Sequence, residues 1–304
     1  MTRPAGAVGP LPTLFLTQWV ACHSMAPRDG DTAGRLARAA GIAVVRFDRA
    51  GTGTSEGPGC DKLDYDTEVR HYRELLQQVA RMPEVDPARI VIYGNSLGAT
   101  TAPLVAEAHP VAGIVVNGGG ALTYYERMIQ FDRLQLQRKA DFDPIAIDRE
   151  MKRRIRFHRH YLLEKMTPAE IEQAYPDLAG VWASLHGTVK EPPHYGRPYA
   201  WHWQAAEQDW LAAWARVHAP VMVVYAEFDQ FEGRPGHHAI VDVIERLRPG
   251  STRWLEIPSA GHDLRIYPDA LSAFRWEGGV RQPELFIEPV AAWLREVVGG
   301  KQGS

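Results

Sequence analysis

A serine between two glycines has the setting in this chain that points most directly to chemistry. Ser96 lies in the segment 94–98, directly after an apolar run and before a run of small and apolar residues. A strand that turns sharply into a helix here would hold the serine in strained backbone, and the glycines would remove clashing side chains. The hydroxyl would then lie at a helix N-terminus, which favours developing negative charge. We predict Ser96 as a nucleophile; the alternative is a helix-capping serine.

A serine hydroxyl needs a base within hydrogen-bond reach and an acid that orients the base. Among 12 histidines, we favour His262, because its loop follows the last predicted strand and opens at the same sheet end as the serine turn. Asp229 follows the strand predicted at 221–225 and is our candidate acid, with Glu227 as its nearest rival. The predicted triad is therefore Ser96, Asp229 and His262.

The hydrophobic pattern alternates between two periods. Short β-rich apolar runs predict strands, and they cover residues 11–20, 42–47, 89–93, 111–117, 221–225 and 252–257. Segments with apolar residues at helical spacing lie between and after them, at residues 32–40, 65–81, 97–108, 239–248 and 286–298. Strands that alternate with helices predict an α/β fold, with a parallel sheet covered by helices on both faces.

The alternation stops near Gly118 and resumes at Val221. Residues 121–209 read as helical and loop-rich, so we predict a core of residues 1–120 and 210–304 with a cap inserted at 121–209. An insertion of this kind would lie over the carboxyl ends of the strands, where open α/β sheets bind ligands. The alternative is a second packing layer without ligand contact. Candidate substrate-binding aromatic residues in the insertion, which would otherwise form its own core, are Tyr124, Tyr125, Trp182, Trp201 and Trp203.

Four motifs in order along the chain resemble those of the α/β-hydrolase superfamily. They are a glycine-rich loop at 48–58, the serine turn at 94–98, the acid strand and turn at 219–229, and a Gly-His pair at 261–262. The order Ser, Asp, His also matches this superfamily. A narrower resemblance, at residues 18–22 and 196–199, is to bacterial serine hydrolases of the dipeptidyl-aminopeptidase and acylaminoacyl-peptidase-like group.

The resemblance implies an α/β-hydrolase fold with a mainly parallel sheet of about six strands, since the two antiparallel strands that usually open the sheet have no counterpart. It also implies an oxyanion hole. The N–H of Leu97 would be one donor, and the second would be the N–H of Val20, or of Trp19 if the register is shifted by one. Trp19 stands where glycine is usual, which narrows the conformations of this loop.

The implied reaction is acyl transfer through an acyl-enzyme, on an ester or thioester of a medium-sized apolar acid, with an amide as the alternative bond, and without a metal or an organic cofactor. One alternative is an acyltransferase or cyclase, in which an alcohol or amine replaces water. The basic segment 152–160 leaves a second alternative, a thioesterase that docks an acyl carrier protein or coenzyme A, although a solvated helix face also explains these charges. A third alternative is a non-catalytic hydrolase-like binding protein.

Composition limits the partners. The chain has 304 residues, with 34 basic against 37 acidic side chains and a net charge of -3, so we expect no nucleic-acid partner. It has no apolar run long enough to span a bilayer and no secretory signal pattern, so we expect no membrane partner. Cys22 and Cys60 cannot build a disulfide framework, which favours a reducing compartment and a cytoplasmic location. An exposed sheet edge would suit a second copy of the chain, so a homodimer is one expected arrangement.

Overall fold

The computed structural model describes residues 1–26, 31–139, 143–186 and 194–300. Its main sheet has six parallel strands in the order β2-β1-β3-β4-β5-β6. The strands are β1 (Leu11–Thr17), β2 (Ala43–Val45), β3 (Val85–Asn95), β4 (Gly113–Asn117), β5 (Val221–Ala226) and β6 (Thr252–Ile257). A separate antiparallel pair consists of β7 (Arg265–Ile266) and β8 (Val280–Arg281). The predicted six-stranded α/β-hydrolase fold is therefore confirmed, with β1 in the interior of the sheet as expected.

Twelve α-helices accompany the sheet in the described ranges. In chain order they are α1 (Thr32–Ala40), α2 (Tyr65–Val79), α3 (Leu97–Ala106), α4 (Tyr124–Lys139), α5 (Pro144–His158), α6 (Pro168–Ala174), α7 (Val181–His186), α8 (Tyr199–Glu207), α9 (Trp210–Ala215), α10 (Arg234–Leu247), α11 (Ala270–Arg275) and α12 (Glu284–Gly299). None of the helices in these ranges is long and apolar enough to cross a membrane.

The alternation of side chains along the strands builds two apolar layers. In β1, Leu14 and Leu16 pack with α1 and α12 on one face of the sheet. Phe15, between them, points to the other face and joins the cluster of α2, α3, α9 and α10. Because both faces of a parallel sheet are covered, its strands are almost continuously apolar, which is why the sequence pattern located them well.

The first helix shows how local signals position the chain. The Asp31 side chain caps the N-terminus of α1 and accepts a hydrogen bond from the Gly34 N–H. Gly41 ends the helix in the left-handed region, at φ 72°, where a residue without Cβ is favoured. Asp31 also forms an ion pair with Arg46, just beyond β2, so one carboxylate both caps α1 and links it to the sheet.

Residues 121–209, which we call the insertion, leave the sheet after β4 and return to it before β5. Helices α4 to α8 lie in this segment. Trp201 and Tyr161 from the insertion share one apolar cluster with Tyr65 of α2 and Leu97 of α3. The insertion thus packs on the side of the sheet where β3 ends in the serine turn.

The β2 edge of the sheet pairs with a residue of the same chain. Thr2 forms an antiparallel bridge with Val44, through N–H to carbonyl distances of 2.8 and 2.9 Å. This bridge occupies part of the edge that the sequence suggested a second copy would cover. The homodimer remains a prediction.

The two cysteines come together in the structure. Cys22, after β1, and Cys60 form a disulfide that spans 38 residues of sequence, with their Cα atoms 6.1 Å apart. The sequence did not predict this pairing. The cytoplasmic location stays a prediction.

Candidate active site

The turn between β3 and α3 forces Ser96 into strained backbone. Ser96 has φ 54° and ψ -125°, a combination that side-chain-bearing residues rarely adopt. A Cβ on Gly94 would lie 2.3 Å from the Ala99 Cα, and one on Gly98 would lie 2.2 Å from the Thr17 carbonyl oxygen. Since these neighbours are backbone atoms, the turn can close only when glycine occupies both positions.

The three predicted triad residues form one hydrogen-bonded chain. His262 Nε2 lies 3.1 Å from Ser96 Oγ, and His262 Nδ1 lies 2.7 Å from Asp229 Oδ2. The Asp229 side chain is fully buried, so its contact with the imidazole is shielded from water. This is the arrangement in which an imidazole can remove the serine proton while the carboxylate fixes its orientation.

The loop after β5 holds the carboxylate in place. Asp229 Oδ1 accepts the N–H groups of Phe231 and Glu232, at 2.8 and 2.9 Å. The His262 N–H donates to the Gln230 side chain at 2.9 Å, which ties the two loops together. Glu227, the rival acid, instead accepts the Ser259 N–H at 2.8 Å.

A run of three glycines after β4 makes room for this chain of contacts. A Cβ on Gly118 would lie 3.0 Å from the His262 ring, and Gly118 itself has φ 65°. A Cβ on Gly119 would lie 2.6 Å from the Ser96 carbonyl oxygen. Gly118 marks the end of the alternating pattern in the sequence, and three consecutive glycines after a strand also signal close backbone approach.

Ser96 and His262 open into a cavity of about 380 Å³. Six aromatic side chains line it, from the loop after β1, the insertion and the loop after β5: Trp19, Tyr124, Phe131, Tyr195, Trp201 and Phe231. Tyr124 is buried, and burial raises the pKa of its hydroxyl above its ordinary value. The Tyr124 hydroxyl is therefore uncharged at neutral pH, and the aromatic rings make much of the wall apolar.

The structure brings only part of the predicted aromatic set to this cavity. Tyr124 and Trp201 line it. Tyr125 donates to the Ile155 carbonyl at 3.2 Å, and Trp182 stacks on Phe157 within the insertion. Trp203 stacks on Tyr199. These three lie outside the lining residues, whereas Phe131, Tyr195 and Phe231 line the cavity and were not predicted.

Two buried arginines hold the loop that follows β1. Arg49 donates to the Ala21 and Trp19 carbonyls at 2.8 and 2.5 Å, and to the Gln18 carbonyl at 3.2 Å. Arg197, from the insertion, donates to the Val20 carbonyl through Nε and Nη2, at 3.0 and 2.9 Å. Four consecutive carbonyls are thus fixed by two guanidinium groups.

This arrangement orients the N–H groups of the same loop. In a planar trans peptide the N–H of one residue points opposite to the carbonyl of the residue before it. Because the Trp19 carbonyl faces Arg49, the Val20 N–H must face away from Arg49. Trp19 and Val20 both line the cavity with Ser96 and Leu97, so this loop and the first turn of α3 border one space above the serine.

Glu68 of α2 is the counter-ion of both arginines. Its Oε1 lies 2.6 Å from Arg49 Nε, its Oε2 lies 3.0 Å from Arg197 Nη1, and Trp201 Nε1 donates to Oε2 at 3.0 Å. Burial alone would raise the pKa of Glu68, but the two guanidinium groups outweigh burial and hold that pKa below its usual value. The carboxylate is therefore ionised, and it compensates two positive charges that would be costly to bury alone.

The cluster of Arg49, Glu68 and Arg197 was not predicted from the sequence, although two signals for it were present. Tyr65, Glu68, Val69 and Tyr72 are buried on one face of α2, so an acidic residue lies within an apolar stripe. A charge at such a position implies a buried partner. Arg49 lies inside the glycine-rich loop at 48–58, so this family motif also contains a basic residue that needs a partner if it is buried.

Comparison with known proteins agrees with this architecture. The family model described as "Alpha/beta hydrolase family" matches residues 19–274. A comparison with curated proteins finds no match.

Solved structures share the fold at low sequence identity. Est1E from Butyrivibrio proteoclasticus, solved with ferulic acid bound, has a TM-score of 0.59 at 12% identity, covering 98% of this chain and 94% of its own. DcsB in complex with its substrate analogue has a TM-score of 0.56 at 16% identity, covering 96% and 92%. The monoacylglycerol lipase of Paleococcus ferrophilus has a TM-score of 0.52 at 18% identity, covering 94% of each chain.

The close packing of the serine turn predicts that substitution of Gly98 lowers the stability of the protein. Gly98→Ala should lower the free energy of unfolding by about 1–3 kcal/mol, since its Cβ would overlap the Thr17 backbone. Gly299→Ala is the matched control, because a Cβ there meets nothing within 4 Å. Urea unfolding of both variants measures the difference, and equal stabilities would contradict the packing described for the turn.

The lowered pKa of Glu68 predicts a pH-dependent contribution to stability. Glu68→Gln should cost about 3–5 kcal/mol at neutral pH, because two buried guanidinium groups lose their counter-ion. A carboxylate with a depressed folded-state pKa stabilises fully above its unfolded value, near 4.5, and loses this effect as pH falls through the folded-state pKa. The gap between wild type and variant should therefore shrink in acid.

Denaturant unfolding across the acidic range measures this gap. Glu74→Gln is the control on the same helix, because Glu74 is exposed and its ion-pair partner among the described residues is the exposed Arg70; its effect should stay within about 0.5 kcal/mol. A Glu68→Gln penalty that is equally large in acid and at neutral pH would rule out the ionised carboxylate as its source.

Proposed function

Because this chain belongs to the alpha/beta hydrolase family, we propose that it is a serine hydrolase that cleaves esters or thioesters of a medium-sized, mainly apolar acid. The observation that carries the proposal is the hydrogen-bonded chain from Asp229 through His262 to Ser96. This chain ends in a cavity with aromatic walls. Nucleophile, base and orienting acid are thus within reach of one another and of a bound acyl group.

The proposed first step is attack by Ser96. His262 Nε2, 3.1 Å from the hydroxyl, accepts its proton while Oγ bonds to the acyl carbonyl carbon. Asp229 keeps the imidazole in the tautomer with hydrogen on Nδ1 and stabilises the imidazolium that forms. His262 then donates the proton to the leaving alcohol or thiol, which departs as the acyl-enzyme forms. Water, deprotonated by the same imidazole, hydrolyses that intermediate.

Two backbone N–H groups are proposed to bind the oxyanion. The Leu97 N–H belongs to the first turn of α3, where N–H groups have no partner within the helix. The second donor is the Val20 N–H or the Trp19 N–H, because Arg49 holds the carbonyl that precedes each of them, those of Trp19 and Gln18. One such donor lowers the barrier by about 3 kcal/mol.

The cavity supports the size and polarity of the proposed acyl group. Its volume of about 380 Å³ lies within the range of small-molecule sites. Aromatic side chains of the insertion, Tyr124, Phe131, Tyr195 and Trp201, form much of its wall. We therefore propose that the insertion acts as a cap that selects the acyl group.

The structure gives less support to the carrier-linked alternative. The basic residues of the segment 152–160 are largely paired: Lys152 with Asp148, Arg153 with Glu150, Arg156 with Asp177, and Arg159 with Glu164. Arg154 and His158 are buried against Asp132. An acidic carrier would meet a face whose charges are already compensated, so this partner remains a secondary prediction. The narrower peptidase-like resemblance likewise stays a prediction.

Substitution of the triad should abolish turnover without unfolding the protein. We expect Ser96→Ala and His262→Ala to lower kcat for p-nitrophenyl esters and acyl thioesters by at least about a thousandfold. Asp229→Asn should lower it by about the same factor, because an amide favours the wrong imidazole tautomer. Hydrolysis across a chain-length series, with circular dichroism to establish folding, measures both effects.

Glu227→Gln is the matched control in the same loop, since its carboxylate contacts Ser259 rather than the imidazole. It should retain turnover within a fewfold of wild type. Undiminished hydrolysis by folded Ser96→Ala would exclude Ser96 as the nucleophile. An added alcohol that diverts the acyl group into a new ester would favour the acyltransferase alternative.

A further inference from the structure

One buried ion pair interrupts the apolar wall of the cavity. Arg127 of α4 lines the cavity together with Glu232, which follows the triad carboxylate in the loop after β5. The two side chains form an ion pair, and each residue is only 5% exposed. Arg127 lies on the helical stripe of Tyr124, Met128 and Phe131, all of which line the same cavity.

Arg127 has more donors than its partner uses. Nη2 contacts Glu232, while Nε and Nη1 are buried and have no hydrogen-bond partner in the part of the chain that the structure describes. The guanidinium also lies 5.3 Å from the Trp210 ring centre, a contact that satisfies no N–H. Buried donors without partners are uncommon and costly, so these two point to a ligand atom that completes the set.

We propose that Arg127 binds an oxygen of the acyl group, an inference that rests on the proposed function. The substrate is then an uncharged acyl ester with a keto or hydroxyl oxygen remote from the scissile carbonyl. An acceptor is required because a guanidinium can only donate. The acceptor is uncharged because Glu232 already compensates Arg127. An anionic group would face the Glu232 carboxylate at the same place in the wall.

A purely structural ion pair is the competing explanation. Arg127 joins the insertion to the loop that holds Asp229, so the pair also contributes to the shape of the site. A structural role would change the rates of all esters together. A role in recognition would change the ratio between esters with and without the oxygen.

The test is an oxygen scan of the acyl chain. Pairs of p-nitrophenyl esters of equal chain length are compared, one a plain hydrocarbon and the other with a keto oxygen moved stepwise along the chain. We expect the wild-type enzyme to favour the keto ester at one position by at least about tenfold in kcat/KM, the effect of one hydrogen bond to a charged donor. An ester with a terminal carboxylate should be a poorer substrate than that keto ester.

The informative variant replaces both partners, Arg127→Met with Glu232→Met, because loss of Arg127 alone would leave a buried carboxylate and endanger folding. The keto preference should fall to near unity in this double variant. Arg216→Met is the control, since Arg216 is exposed and pairs with Glu107; it should keep the preference. Thermal unfolding establishes that each variant is folded.

Three results would overturn the inference: no keto preference in wild type, an unchanged preference in the folded double variant, or a better rate for the carboxylate ester. Each presupposes that wild type hydrolyses the plain esters. Absence of turnover for every ester would instead count against the proposed function itself.

Discussion

The contact between His262 and Ser96 depends on a backbone turn that only small residues permit. Ser96 presents its hydroxyl from the left-handed region of φ, with Gly94, Gly98 and Gly119 packed against backbone or Ala99 at distances that no Cβ could occupy. Strain of this kind persists only where the surrounding structure over-determines it. Here the buried strand β3 precedes the turn and the buried helix α3 follows it. A rigid sheet therefore sets the geometry of the contact between His262 and Ser96.

A second constraint is the buried charge beside this turn. Arg49, Glu68 and Arg197 come from the loop after β2, from α2 and from the insertion, and all three are at most 4% exposed. Burying such charges is costly unless they are paired and hydrogen-bonded, and here they bind one another and the carbonyls of residues 18–21. The cluster thereby couples the position of the insertion to the loop proposed to bind the oxyanion.

The elements and residues predicted correctly from the sequence are those that depend on the local hydrophobic pattern. Periodicity predicts the six strands and the helix from Thr32 to Ala40. Strand order predicts that Ser96, Asp229 and His262 meet at one end of the sheet. Pairings between distant side chains do not follow in this way. The Cys22–Cys60 bond and the Arg127–Glu232 pair depend on how the loops and the insertion fold back over the sheet. The local sequence does not distinguish Trp201 from Trp182 and Trp203. Tertiary packing decides that Trp201 lines the cavity and that the other two do not.

The most direct test of the central claim is covalent labelling with a fluorophosphonate, followed by peptide mass mapping. Such a reagent reacts with a serine whose oxygen is deprotonated by a neighbouring base and whose adduct is held by oxyanion donors. The account predicts one adduct on the peptide that contains Ser96, and its loss in folded His262→Ala. An unlabelled Ser96 in the folded wild-type protein, or labelling that is equally fast without His262, would contradict the account and favour a binding protein that retains the fold without its chemistry.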